Sequence, residues 1–202
     1  KENFDCIYID PSRRNNVKGK VFLLNDCLPN IPENIDFLFL KTNQILIKNA
    51  PILDITSTIN DLKFVKEVHI IALQNEVKEL LFLLKKNHKK TIKIKTINIG
   101  KNETKSFNFN YKDDVSSVYS EPRSYLYEPN AAILKSGGFH QISHQFNIFK
   151  LHQHSHLYTS NEIIDFPGRV FKIEEIAPYD KKKIKKFLPE NKANITIRNF
   201  PK

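Results

Sequence analysis

The sequence predicts the back half of a doubly wound α/β sheet followed by a smaller α+β region. Strand-like and helix-like segments alternate through the first half of the chain, the pattern of a sheet built with crossover helices. The first strand-like run, residues 5–9, stops at Asp10-Pro11. Pro11 cannot donate to a ladder and holds Asp10 extended, so a carboxylate sits at the strand's carboxyl end, the edge where such sheets bind ligands. After a polar stretch at 113–117 the apolar runs become short and irregular, which reads as a domain boundary.

The elements follow in order. Residues 15–20 form a polar loop, and 21–29 a mixed connection without clean alternation. Residues 32–40 read as a short helix with Pro32 near its first turn. A second buried strand covers 44–48, and an amphipathic helix follows from about 52 to 62 after Pro51. A third strand covers 67–73. Val77, Leu80, Leu81 and Leu84 recur at helical spacing behind Asn75, predicting a helix over 76–86 with Asn75 as its cap. Residues 91–99 alternate isoleucines with lysines as a half-exposed strand, and 106–111 form its hairpin partner. Beyond the boundary come a strand at 125–127, a helix from Pro129-Asn130 to about 146, and strands at 150–158 and 169–176. A basic helix opened by Asp180 and a last strand at 193–198 complete the chain. The predicted divisions are 1–115, 116–168 and 169–202.

Bulk properties narrow the function. The chain has 202 residues and a formal net charge of +10, which favours a polyanionic partner, nucleic acid before membrane. No apolar run reaches membrane-spanning length. Two cysteines, Cys6 and Cys27, make no disulfide framework, Cys6 falls in a core-like strand, and a reducing cytoplasm fits best. The chain has no Met and begins just before a buried-looking strand, so it reads as part of a longer protein.

Several residue groups can carry chemistry. Asp10, Pro11, Ser12 and Arg13 form the candidate catalytic loop, because a strand-end carboxylate can accept a substrate N–H and orient its lone pair. Arg14 extends that loop, and a guanidinium can hold a phosphate in bidentate fashion. Lys48 and Asn49 close the next strand on the same edge and are candidate substrate contacts; a solvated strand-end lysine is the plainer reading. Asp54 is explained by a helix's first turn. Lys181, Lys182 and Lys185 share the outer face of the basic helix and are candidate phosphate contacts. His152, His154 and His156 alternate on one predicted strand face, and His140 and His144 lie one helical turn apart. Without cysteines nearby, these histidines read as surface or nucleic-acid-facing groups and not as a metal site.

The run from Phe4 to Arg14 resembles the motif that closes the fourth strand of class I S-adenosylmethionine-dependent methyltransferases, usually Asp or Asn, two prolines, then an aromatic. Here the second proline and the aromatic are absent, so the motif does not name the atom modified. Further segments resemble one subgroup of these enzymes, which carries C-terminal ferredoxin-like and THUMP-like domains. They are Gln44-Ile-Leu-Ile-Lys-Asn-Ala-Pro-Ile-Leu-Asp54, Tyr125-Leu-Tyr-Glu-Pro-Asn-Ala-Ala-Ile-Leu134, Ser155-His-Leu-Tyr-Thr-Ser160 and Ala193-Asn-Ile-Thr-Ile-Arg-Asn-Phe-Pro201.

The resemblance implies a Rossmann-like methyltransferase half, then a ferredoxin-like module and the beginning of a THUMP-like domain. It also implies S-adenosylmethionine as cofactor and RNA as partner. The five glycines form no Gly-x-Gly loop, so the cofactor site is expected upstream of Lys1 and the chain alone is expected to be inactive. One departure stands out: in class I enzymes the last two strands commonly meet through a short connection, where a helix is predicted here. Two other readings stay open, a non-catalytic RNA-binding module with a remnant Rossmann-like half and a methyltransferase of a non-RNA substrate.

Overall fold

The structure, a computed structural model, describes residues 3–12, 14–15, 19–20, 24–178, 180 and 187–188, with the backbone alone for 14–15 and 19–20. The first strands are β1 (Ile7–Ile9), β2 (Arg14–Asn15) and β3 (Gly19–Lys20). Then come α1 (Ile31–Leu38), β4 (Gln44–Asn49), α2 (Ile55–Asp61), β5 (Val65–Leu73), β6 (Glu76–Lys85), β7 (Lys93–Ile99) and β8 (Thr104–Asn110). The later elements are β9 (Tyr125–Pro129), α3 (Ala131–Ser136), α4 (Phe139–Gln145), β10 (Phe149–Lys150), β11 (Tyr158–Ser160) and β12 (Gly168–Lys172). The class is mixed α/β, a six-stranded mixed sheet followed by a four-stranded antiparallel one.

Packing divides the chain into two units, Lys1–Asp114 with Asn130–Gly138, and Val115–Pro129 with Phe139–Lys202. In the first unit the strand order is β1-β4-β6-β5-β7-β8. β1 runs parallel to β4, β6 runs antiparallel to both β4 and β5, and β7 is parallel to β5. Strand alternation places Ile45, Ile47, Val68, Ile70, Leu80, Phe82, Leu84 and Ile94 on one buried face. Ile31 and Ile35 of α1 and Ile55 and Ile59 of α2 are buried as well, and α3 packs against β5, β6 and β7. The helix starts follow from local chemistry. The Asn30 side chain accepts from the Glu33 N–H with Pro32 in the first turn, and Asp54 accepts from the Ser57 N–H.

The structure corrects several expectations. Residues 76–85 form a strand. Leu80, Phe82 and Leu84 are fully buried and alternate, and this second periodicity outweighs the helical one because β6 lies between β4 and β5. Gln74 and Asn75 both have positive φ, 50° and 64°, as a two-residue hairpin turn requires; Asn75 is therefore a turn residue, and its side-chain oxygen accepts from the Ala131 N–H of α3. In place of the expected helix, β5 and β6 meet directly through this turn. The single helix expected to 146 is two, because Gly137 takes the left-handed conformation (φ 74°) that ends α3. Asn130–Gly138 packs with the first unit, a return across the boundary read at 115. Residues 151–157 form a loop between β10 and β11, so His152, His154 and His156 share no strand face. Cys6 precedes β1 and is exposed, while Cys27 is buried.

The second unit's sheet has the order β10-β11-β9-β12. Tyr127 and Tyr158 are fully buried at its centre. The Tyr127 hydroxyl donates to the Glu162 carbonyl at 2.6 Å and the Tyr158 hydroxyl to the Phe139 carbonyl at 2.8 Å, satisfying both. Gly168 is required where β12 meets β9, since a Cβ there would lie 2.1 Å from the Glu128 carbonyl oxygen. The basic helix and the last predicted strand lie outside the described residues.

Candidate substrate cleft

The parallel register of β1 with β4 pairs Ile9 with Ile47, so the next residue of each strand, Asp10 and Lys48, emerges at the shared carboxyl edge. Their side chains meet there, with Lys48 Nζ donating to Asp10 Oδ2 at 2.6 Å. The antiparallel register of β6 pairs Asn49 with Leu80, which carries Glu79 and Lys78 past the end of β4. Glu79 Oε1 lies 3.9 Å from Lys48 Nζ. Ser12 fixes the strand-end loop through a pair of backbone hydrogen bonds with Leu28, at 2.7 and 3.1 Å.

Asp10, Ser12, Lys48, Asn49, Lys78 and Glu79 line a cleft of about 440 Å³ together with Cys27 and Leu53, a volume within the range of small-molecule sites. A second cavity of about 240 Å³ lies by Phe4 and Thr42. Lys135 of α3 donates to the Leu53 carbonyl at 2.9 Å, tying α3 to the loop that forms one wall. The hydrogen bond to Asp10 raises the Lys48 pKa above its ordinary value, against an opposing effect of burial, so Lys48 is a cation at every physiological pH.

Asn49 is 4% exposed, and among the described residues neither its Nδ2 nor its Oδ1 has a partner. The Asp10 side chain is half-exposed, and among the described residues only its Oδ2 is bonded, to Lys48. The cleft can therefore accept a hydrogen bond at Asp10, whereas the polar side-chain atoms of Asn49 are buried out of its reach.

Of the residues expected from sequence, Asp10, Pro11, Ser12, Lys48 and Asn49 all line this one cleft. Arg14 is described only as backbone in β2, while Arg13, Lys181, Lys182 and Lys185 lie outside the described residues. Lys78, Glu79, Cys27 and Leu53 were missed. Reading the Gln74-Asn75 turn as a hairpin would have brought the first two to this edge.

The histidines are engaged separately. The His156 ring stacks on Phe139 with centroids 3.7 Å apart, and His140 Nδ1 lies 2.9 Å from the Ser117 hydroxyl. Among the described residues no group of three or more His, Cys, Asp or Glu is arranged to hold a metal, and no helix is long and apolar enough to cross a membrane.

Residues 125–167 match a ferredoxin-like domain and residues 168–202 a THUMP domain-like family. No curated protein matches the chain. The crystal structure of a candidate methyltransferase from Porphyromonas gingivalis W83 is similar over 98% of this chain, at 35% identity and a TM-score of 0.85. The chain spans 50% of that protein's length.

Proposed function

We propose that this chain is the substrate-side and C-terminal part of an S-adenosylmethionine-dependent methyltransferase that modifies RNA, and that its cleft receives the nucleobase. The observation that carries this is the meeting of Asp10, Lys48 and Asn49 in one cleft at the carboxyl ends of the parallel strands β1 and β4. Likeness to the Porphyromonas structure supports the reaction type, and the THUMP domain-like match supports RNA.

Methyl transfer is a displacement in which an enzyme chiefly positions a nucleophile and excludes water. Asp10 is placed to accept a hydrogen from the substrate nitrogen or oxygen and direct its lone pair. Lys48 holds the Asp10 side chain in one orientation through the 2.6 Å bond. The bonded Ser12–Leu28 pair sets the path of the loop.

The fit of this chain to the cofactor itself is poor. Its glycines are single or, at Gly137-Gly138, beside α3, so no glycine-rich turn faces the cleft from the described residues. S-adenosylmethionine is held elsewhere in the protein, and supplies the methyl group when bound.

The test is transfer of labelled methyl from S-adenosylmethionine by the full-length protein. Total RNA, total protein and small-molecule extract are offered separately. Label in RNA alone is expected; label in protein or small molecules alone replaces RNA as substrate. No transfer to any of them favours the non-catalytic RNA-binding module.

A further inference from the structure

We infer that the open face of the six-stranded sheet and the free edge of β1 are an interface, filled by the part of the full-length protein that lies outside this chain. The inference rests on the reading of the chain as part of a longer enzyme and adds the surface on which the remainder packs.

Strand alternation separates the side chains of this sheet into two sets. On the packed face Ile45, Ile47, Ile70, Leu80 and Phe82 are fully buried. The registers on the opposite face pair Tyr8 with Leu46, Leu46 with Leu83, and Ile71 with Ile97. Leu81, two residues from Leu83, shares that face of β6. None of these six is buried: Tyr8 is 58% exposed and the other five are half-buried. They form an apolar band that runs from β1 through β4, β6 and β5 to β7. Parallel strand pairs such as β1–β4 and β5–β7 ordinarily have both faces covered, and a contiguous apolar patch marks an interaction surface.

Charged groups on this face are paired with one another. Glu67 Oε2 accepts from Lys95 Nζ at 2.7 Å and lies 2.9 Å from His69 Nε2, while Lys48 is bonded to Asp10. A face whose ions are already paired leaves water at lower cost than one that strands a charge. The two edges of the sheet differ in the same sense. β8 carries Lys105 among Thr, Ser and Asn residues, the chemistry that guards an edge against pairing. β1 reads Ile7-Tyr8-Ile9, carries no charge, and lies parallel to its neighbour β4.

The occupant follows from length and chemistry. This chain matches 50% of the Porphyromonas protein, which leaves a comparable length of related chain to supply helices for the face and a strand for the edge. A nucleic acid is a poor occupant, because its phosphates would meet leucines and isoleucines in place of free cations.

The test uses the full-length protein. Cys6, exposed beside the β1 edge, is alkylated under native conditions and followed by peptide mass spectrometry. Ile163→Cys, at a 68% exposed position in the second unit, supplies the reference thiol. A photo-crosslinking residue replaces Leu83, in the middle of the face, and a thermal melt checks folding. Where that replacement unfolds the protein, the same probe at the exposed Tyr8 gives the same reading.

The expected result is Cys6 labelled about tenfold or more slowly than Ile163→Cys, and equally fast after denaturation. Crosslinks are expected to join the same polypeptide at residues outside the 202 of this chain. Equal native rates, crosslinks that end within those residues, or none from a folded variant overturn the proposal. Protection lost on dilution, with crosslinks between two polypeptides, identifies a second copy as the occupant and overturns it equally. No outcome depends on methyl transfer, so failure here leaves the reaction and its substrate to their own test.

Discussion

Removal of the Asp10 carboxylate separates a functional loop from a strand that merely ends in Asp-Pro. The Asp10 side chain is 50% exposed and that of Lys48 28%, so their ion pair contributes only about 0.2–1 kcal/mol to stability. In Asp10→Ala the Lys48 ammonium still has Glu79, at 3.9 Å, so no charge is stranded. For a protein of this size about 1 kcal/mol corresponds to roughly 2–4 °C of melting temperature, and the loss on mutation is expected within that range. Turnover in the full-length enzyme is expected to fall by about 100-fold or more, the usual scale of a positioned acid–base group and equal to about 2.7 kcal/mol of barrier. Asp10→Asn keeps an acceptor without its charge, and a charge-assisted hydrogen bond exceeds a neutral one by roughly 1 kcal/mol. An amide cannot take up a proton, so turnover within about tenfold of wild type would mark Asp10 as a hydrogen-bond acceptor, and a fall as deep as in Asp10→Ala would mark it as a base. Steady-state methyl transfer and a thermal melt on each variant supply the two readings. Unchanged turnover in a folded Asp10→Ala protein refutes the assignment, as does a melting loss several times larger than that range.

Two further outcomes follow from charge. Burial pushes Glu67 up, but hydrogen bonds from Lys95, His69 and Lys66 outweigh it and hold the carboxyl down at about 2, below an ordinary 4.5. A depressed folded pKa contributes stability that is present above about 4.5 and lost as the pH falls toward 2, at most about 3 kcal/mol. Glu67→Gln should flatten the acid limb of a stability–pH curve measured by urea denaturation, and an unaltered limb would show the network contributes nothing. At the other end of the chain, changing Lys181, Lys182 and Lys185 together to Gln should reduce the slope of log affinity for RNA against log salt by about 0.7–0.9 for each phosphate no longer neutralised. The change should appear across unrelated RNA sequences, because phosphate contacts position without specifying; a slope that does not move leaves those lysines as a solvated face.

What was legible in the sequence was what local chemistry decides. Asp10-Pro11 had to end a strand, Pro32 marked the first turn of a helix, and the apolar 44–48 run read as a strand. Because β1 and β4 are neighbours and parallel, two independent strand ends were enough to bring Asp10 and Lys48 together. Residues 76–85 were misread because two patterns coexist there. Val77, Leu80, Leu81 and Leu84 satisfy a helix, and Leu80, Phe82 and Leu84 satisfy a strand. Neither periodicity nor length separates them; placement between β4 and β5 does, and that is tertiary. The packing of Asn130–Gly138 with the first unit is likewise invisible locally. It depends on Asn75 meeting the Ala131 N–H and on Lys135 reaching the Leu53 carbonyl, partners 56 and 82 residues distant. The idle amide of Asn49 had no sequence signal, because satisfaction of a buried group depends on every neighbour in space.

The distribution of charge argues for a division of labour. With a net +10, a polyanion could be expected to enter the cleft beside Asp10. The described cations at that cleft are already committed, however, Lys48 to Asp10 at 2.6 Å and Lys78 to Glu76 at 2.7 Å. Glu79 adds a further negative charge to the wall. A phosphate drawn in would have to break the Lys48–Asp10 bond and lie beside two carboxylates, an arrangement that like-charge repulsion disfavours in a partly desolvated site. A neutral group meets no such opposition. On the proposed reading, the lysines of 85–90 and 181–186 are candidate contacts for the backbone of a nucleic acid. Contacts of that kind strengthen binding irrespective of sequence, which on the same reading leaves selection of the modified residue to the cleft.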